Sequence, residues 1–111
     1  MASRSYLGEM ELMVLLAVMR LGDEAYGVPI SKELMTLAGR DVALGSIYAA
    51  LDRLERKGFV SSALGDPTPE RGGRAKRYFK VTPGGVQALK MTRAALISLW
   101  SGIPVLEGRR L

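Results

Sequence analysis

Basic side chains are concentrated in one segment of the sequence, and their chemistry is the binding of anions. Residues 53–80 contain eight of the sixteen Lys and Arg residues but only three of the eleven Asp and Glu residues. The rest of the chain carries eight of each sign, so the net charge of +5 resides in this segment. Such a localised excess predicts a polyanionic partner. The eight basic residues are Arg53, Arg56, Lys57, Arg71, Arg74, Lys76, Arg77 and Lys80.

Catalytic and metal-binding chemistry has little support in the sequence. The chain has no Cys and no His, so it lacks the usual zinc ligands and the commonest general base. On a helix, Glu9 and Glu11 would project about 200° apart, and Asp23 and Glu24 are expected to face solvent. No glycine-rich phosphate loop follows a strand. We therefore predict no enzyme activity, no metal site and no cofactor.

The composition is that of one small globular domain. Apolar residues make up 48% of the 111 residues, which is ordinary for a folded domain. A chain of this size buries roughly two thirds of its unfolded surface, so any further apolar face needs a second copy to cover it. The chain begins without a signal-peptide pattern, and its longest apolar run, 12–19, is too short for a membrane span. We expect a cytoplasmic protein.

The first half of the chain predicts three helices. Apolar residues at helical spacing indicate a first helix at 8–21 and a second at 27–38. The third helix begins within 43–46 and ends at Gly58. Its start has no strong cap, because Ala43 stands where Ser or Thr would be preferred.

The third helix has two unlike faces. One face predicts ordinary core contacts and comprises Ile47, Ala50, Leu51 and Leu54. The other face begins with small residues and becomes basic towards its end. It comprises Gly45, Ser46, Tyr48, Ala49, Asp52, Arg53 and Arg56.

A β-hairpin and a long helix follow. Strands are predicted at 59–64 and 75–82, joined by a loop at 65–73 that contains two prolines and three glycines. Thr82 caps a last helix at 83–103, whose apolar residues alternate at spacings of three and four. This spacing is typical of a seam against another helix. The predicted seam comprises Leu89, Thr92, Leu96, Leu99 and Ile103.

Three helices followed by a hairpin and a long helix indicate a winged helix-turn-helix, mainly α with a small β-hairpin. In that fold the third helix enters the major groove of DNA. Ser46 and Tyr48 would donate to phosphates or base edges, and Arg53 and Arg56 would pair with phosphates. The hairpin, or wing, would reach the backbone or the minor groove. The predicted DNA-binding residues are Gly45, Ser46, Tyr48, Ala49, Arg53, Arg56, Arg71, Arg74, Lys76 and Arg77.

These motifs resemble the PadR-like transcriptional regulators over nearly the whole chain. LGEMELMVLLAV is similar to the family's opening helix, and AYGVPI to the Tyr-Gly-x-x-Ile start of its second helix. GSIYAALDRLERKGFV and GGRAKRYFKVTPGG are similar to its third helix and wing. Ala49 and Ala43 depart from the pattern, since the family often has Pro and a polar cap there. The resemblance implies a homodimeric repressor, often responsive to small aromatic compounds. It implies DNA contacts at Ser46, Tyr48, Arg53, Arg74 and Lys76.

The order of the predicted elements divides the chain into two parts. We expect a winged-helix DNA-binding domain at 1–82 and a dimerisation helix with a tail at 83–111. Trp100, the only tryptophan, has two interpretations. It either lines a site for a flat effector near the dimer axis or fills the dimer core.

One other class of function remains open from the sequence. A winged-helix module of this charge would bind an acidic protein instead of DNA. Large apolar anchors on the outer face of the third helix would favour that alternative, whereas Gly45, Ser46 and Ala49 favour entry into a groove.

Overall fold

Four helices and one hairpin make up the computed structural model, which describes residues 7–67 and 75–108 except for the side chains of 66, 67 and 75. The helices are α1 Glu9–Leu21, α2 Gly27–Ala38, α3 Leu44–Arg56 and α4 Pro83–Trp100, and the antiparallel strands are β1 Val60–Pro67 and β2 Ala75–Val81. Short 3₁₀ turns occupy Gly22–Glu24 and Pro104–Glu107. The order confirms the predicted winged-helix fold.

The core forms around α1, which contacts α2, α3, α4 and β2. The predicted inner face of α3 is confirmed, because Ile47, Ala50, Leu51 and Leu54 are all fully buried. Val14 and Leu15 of α1 are equally buried. Burying each large aliphatic side chain stabilises the fold by about 1.5–3 kcal/mol, so these contacts fix the position of α3 and leave its other face outward.

The hairpin is anchored to the helices through β2. Val60 is opposite Val81 and Leu64 is opposite Arg77, and the ladder then shifts before Pro67 pairs with Ala75. The first strand is therefore longer than the predicted 59–64. The backbone N–H of Phe79 donates to the carbonyl oxygen of Ala25 at 2.9 Å, which ties β2 to the connection between α1 and α2.

The last helix begins as predicted and ends earlier. Thr82 caps it, since its Oγ1 accepts a hydrogen bond of 3.1 Å from the N–H of Gly85. The helix ends at Trp100, because Ser101 is extended and Gly102 has a φ of +83°. The predicted end at 103 is wrong, and Ile103 lies outside the helix.

Within the part of the chain that the structure describes, every helix is too short or too polar to cross a bilayer.

We expect Gly85→Ala to destabilise the junction of β1 and α4. A methyl group there would overlap the carbonyl oxygen of Phe59 and lie 2.7 Å from Cγ1 of Val81. Because backbone blocks the methyl group, the free energy of unfolding should fall by about 1–3 kcal/mol in urea denaturation. Gly84→Ala is the control, since its methyl group would lie 3.5 Å from the nearest atom. Equal stability of both variants would contradict this close approach.

Candidate nucleic-acid interface

The outer face of α3 is exposed except at Tyr48, and its first turn carries only small side chains at Gly45 and Ser46. Its exposed residues are Gly45, Ser46, Ala49, Asp52, Arg53 and Arg56. A methyl group on Gly45 would meet nothing within 4 Å, and the φ of Gly45 is not positive. Nothing within the described chain therefore requires a glycine at this position. The first turn of α3 is a place where a large partner can approach the backbone closely.

Arg53 and Arg56 supply the free positive charge of this face. Neither has an ion-pair partner among the residues that the structure describes. Lys57, in contrast, is held by the largely buried carboxylate of Glu11 at 2.8 Å. The basic character of the end of α3 therefore rests on the two arginines, which no described carboxylate occupies.

The base of the wing lies beside α3. Nη2 of Arg77 is 2.6 Å from Oε1 of Glu55, and its Nη1 is 3.5 Å from Oδ1 of Asp52. Arg77 was predicted to contact DNA, but its guanidinium is occupied by two carboxylates of α3. Counting charges along the sequence did not reveal this pairing.

Lys76 is held on the opposite side of β2. Its Nζ lies 4.6 Å from the ring centroid of Tyr26 and 3.5 Å from the hydroxyl of that tyrosine. Tyr26 also packs edge-on against Tyr78, with 5.4 Å between the ring centroids. The wing strand is therefore fastened to the start of α2 as well as to α3.

Three further residues were predicted to contact DNA, and the structure describes only one of them, Tyr48. Tyr48 is half-buried, and its hydroxyl lies where a side chain on Gly27 would be. Its ring therefore packs between α3 and α2, and a DNA contact by its hydroxyl stays a prediction. Arg71 and Arg74 lie outside the described residues.

A second surface, which is apolar, covers the later half of α4 and the adjoining side of α1. Gly85, Ala88 and Thr92 pack against the chain's own body. Beyond them the large apolar side chains are exposed; these are Leu96, Ile97, Leu99 and Trp100, followed by Ile103, Val105 and Leu106. An open groove of about 310 Å³ lies between the two helices, lined by Leu12, Leu16, Leu89, Lys90, Arg93, Leu96 and Ile97.

The residues of the predicted seam differ in how far they are exposed. Thr92 is only 4% exposed, and its Oγ1 accepts a hydrogen bond of 3.2 Å from the backbone N–H of Leu7. Its side chain is therefore covered by its own chain and unavailable to a second copy. Leu89 is also half-buried against the core, so Leu96 and Leu99 are the accessible part of the seam within α4, and the exposed Ile103 follows after the helix.

A winged-helix fold with an exposed third helix is a common architecture of transcriptional regulators. The model of the transcriptional regulator PadR-like family matches residues 15–91, which is more than half of the chain. The chain belongs to this family and is a transcriptional regulator. No curated protein matches the chain.

Solved structures of the same family share the fold. A PadR-like transcription factor from Bacteroides fragilis is 27% identical, with 81% of this chain and 82% of that one covered and a TM-score of 0.68. A PadR family regulator from Eggerthella lenta is 26% identical, with 85% and 80% covered and a TM-score of 0.67. A PadR-like regulator from Bacillus cereus is 20% identical, with 91% and 93% covered and a TM-score of 0.70.

Proposed function

We propose that this regulator is a repressor that binds a near-palindromic DNA operator as a homodimer. The α3 helix of each copy enters the major groove, and the basic wing contacts the backbone or the minor groove. The two α3 helices then meet major grooves about 34–36 Å apart. Residues 1–82 form the DNA-binding part, and residues 83–111 form the dimerisation part.

The outer face of α3 is the observation that carries this proposal. Its first turn is bare at Gly45, and its far end presents the guanidinium groups of Arg53 and Arg56, neither of which is paired with a described residue. A groove lined by phosphates fits both features, because close approach of the helix start places the arginines at the flanking backbone. A protein partner would favour large apolar anchors on this face, whereas large apolar side chains outside the buried face of α3 are limited to Leu44 at its first residue and the half-buried Tyr48. The contacts proposed on α3 are Gly45, Ser46, Tyr48, Ala49, Arg53 and Arg56, and those on the wing are Arg71, Arg74 and Lys76.

The apolar surface on α4 and α1 supports the dimer. Most of its large side chains face solvent in a single copy, although the first half of α4 is packed on the chain's own body. A small domain cannot cover such a surface by itself. In a two-fold dimer, the Leu96 and Leu99 side chains of each copy would bury the same patch on the other.

The proposal also includes a small aromatic effector that releases the protein from DNA. Trp100 is 57% exposed at the end of α4, and an indole ring stacks well on a flat ligand. Trp100 as a filler of the dimer core is the competing role. Quenching of its fluorescence by a planar aromatic compound, with release of bound DNA, would support the effector site over the filler.

Selection of bound duplexes from a random pool tests the DNA-binding proposal. We expect the wild-type protein to enrich sequences with two-fold symmetry. Gly45→Leu should keep the fold, because the added side chain projects into open space, and should weaken binding to a selected duplex at least tenfold by holding α3 away from the groove. Thermal unfolding checks the fold, and Thr36→Leu, on an exposed position of α2, is the control. No retention of any duplex at micromolar protein and low salt would favour the module that binds an acidic protein.

A further inference from the structure

We propose that Arg77, Asp52 and Glu55 form a brace that sets the direction of the wing relative to α3. Arg77 then serves DNA binding as a positioning residue, through the two carboxylates, and does not itself neutralise a phosphate. This inference rests on the DNA-binding function proposed above and changes the role predicted for Arg77 from the sequence.

The guanidinium of Arg77 contacts groups from two elements, α3 and its own strand β2. Its two terminal nitrogens reach Glu55 at 2.6 Å and Asp52 at 3.5 Å. Its carbon lies 5.0 Å from the ring centroid of Phe79 on its own strand. Glu55 is fixed in turn by the hydroxyl of Ser62 on β1, which donates to the other carboxylate oxygen at 2.7 Å. The brace therefore joins α3 to both strands of the hairpin.

Arg77 lies where the regular part of the hairpin ends, and this position lets the brace set the direction of the wing. Arg77 is opposite Leu64, which is the last regular pair before the ladder shifts towards Pro67 and Ala75. A two-stranded ribbon is only marginally stable by itself, and an irregular pair bends it. The direction in which the wing leaves the body is therefore set at the level of Arg77.

The charges of the brace allow a test, because the two explanations predict opposite changes in DNA affinity when Glu55 is neutralised. Two carboxylates share one guanidinium, so the cluster carries a net negative charge on the side that would face DNA. If simple electrostatics governed, neutralising Glu55 would strengthen DNA binding and would free Arg77 for a phosphate. If the brace governs, the same change weakens binding to a selected site, because the wing loses its direction.

Glu55→Gln is the decisive variant, since glutamine keeps the side-chain shape and can still accept from Ser62. We expect roughly fivefold weaker binding to a duplex selected by the wild type and undiminished binding to a duplex of unrelated sequence. Glu33→Gln is the matched control. Glu33 is likewise about a third exposed or less and pairs at 3.0 Å with an arginine on another helix, Arg20. Both variants should melt at similar temperatures, and amide exchange within 75–81 should be faster only in Glu55→Gln.

The double variant separates a brace from an independent contact. Arg77→Gln should weaken binding to the selected duplex, and Arg77→Gln with Glu55→Gln should be no weaker than Arg77→Gln alone. Equal or tighter binding by Glu55→Gln, or unchanged amide exchange, would overturn the brace while leaving DNA binding intact. Failure of the wild-type protein to retain any duplex would instead overturn the proposed function as well.

Discussion

Replacing Arg53 and Arg56 together by alanine is expected to weaken binding to a selected duplex by roughly a hundredfold. Both side chains are exposed on α3, and neither has an ion-pair partner among the described residues. Because neither guanidinium group has to break an ion pair with a described residue before it binds a phosphate, the favourable free energy of each phosphate contact is not reduced by such a loss. Each lost phosphate contact should also reduce the slope of the logarithm of affinity against the logarithm of salt concentration by roughly 0.9.

The two measurements together distinguish a phosphate contact from damage to the fold. A variant that merely unfolds binds less at every salt concentration, whereas a lost phosphate contact also changes the slope. Lys80→Ala is the control for net charge, because Lys80 belongs to the same basic segment but lies on β2 near Asp23, at 3.8 Å. We expect little change in its slope. Unchanged affinity and slope in the arginine variant would remove the end of α3 from the interface.

Arg74→Ala is the corresponding variant on the wing. Loss of its one phosphate contact should reduce the slope of the logarithm of affinity against the logarithm of salt concentration by roughly 0.9. Arg74 lies outside the described residues, so this expectation rests on the sequence and on the resemblance of the wing motif.

The third helix was predictable from the sequence because the spacing of its apolar residues determines which face is buried. Ile47, Leu51 and Leu54 recur at the helical period and are fully buried, and that placement alone turns Gly45 and Arg56 outward. The cap at Thr82 is local as well, since its hydroxyl contacts a backbone N–H only three residues away. Such features need no knowledge of the rest of the fold.

The pairing of the basic side chains was not predictable in the same way. Arg77 and Glu55 are 22 positions apart, and Leu7 and Thr92 are 85 positions apart. These contacts exist only because the hairpin folds against α3 and the beginning of the chain folds against α4. Net charge over a segment therefore indicated an anionic partner but did not distinguish Arg53, which pairs with no described residue, from Arg77, which pairs with Asp52 and Glu55.

The end of the last helix shows a competition between two local signals. Pro104 predicts a helix that continues to residue 103, yet Ser101 and Gly102 end it first. The hydroxyl of Ser101 donates to the carbonyl oxygen of Ile97 at 2.8 Å, and Gly102 adopts a positive φ. The helix is therefore about 27 Å long, and the exposed residues after it belong to a turn.

Leu96→Glu combined with Leu99→Glu is expected to convert the proposed dimer into a folded monomer. Leu99 is 75% exposed and Leu96 is 45% exposed in a single copy, so glutamates at these positions remain hydrated and the monomer should not unfold. In a two-fold dimer each substitution occurs twice, which places four carboxylates in one apolar interface. Burying unpaired charges in such a place costs several kcal/mol each, more than a modest interface can offset.

Sedimentation at several protein concentrations measures this change, and circular dichroism confirms that the helices remain. Leu64→Glu is a closely matched control, because Leu64 is 74% exposed but lies on β1, away from the seam. It should stay dimeric. The monomer should also bind a two-fold symmetric duplex far more weakly, since it loses the linkage that places a second α3 helix at the neighbouring half-site. A double variant that remained fully dimeric with intact helices would show that another surface holds the two copies together.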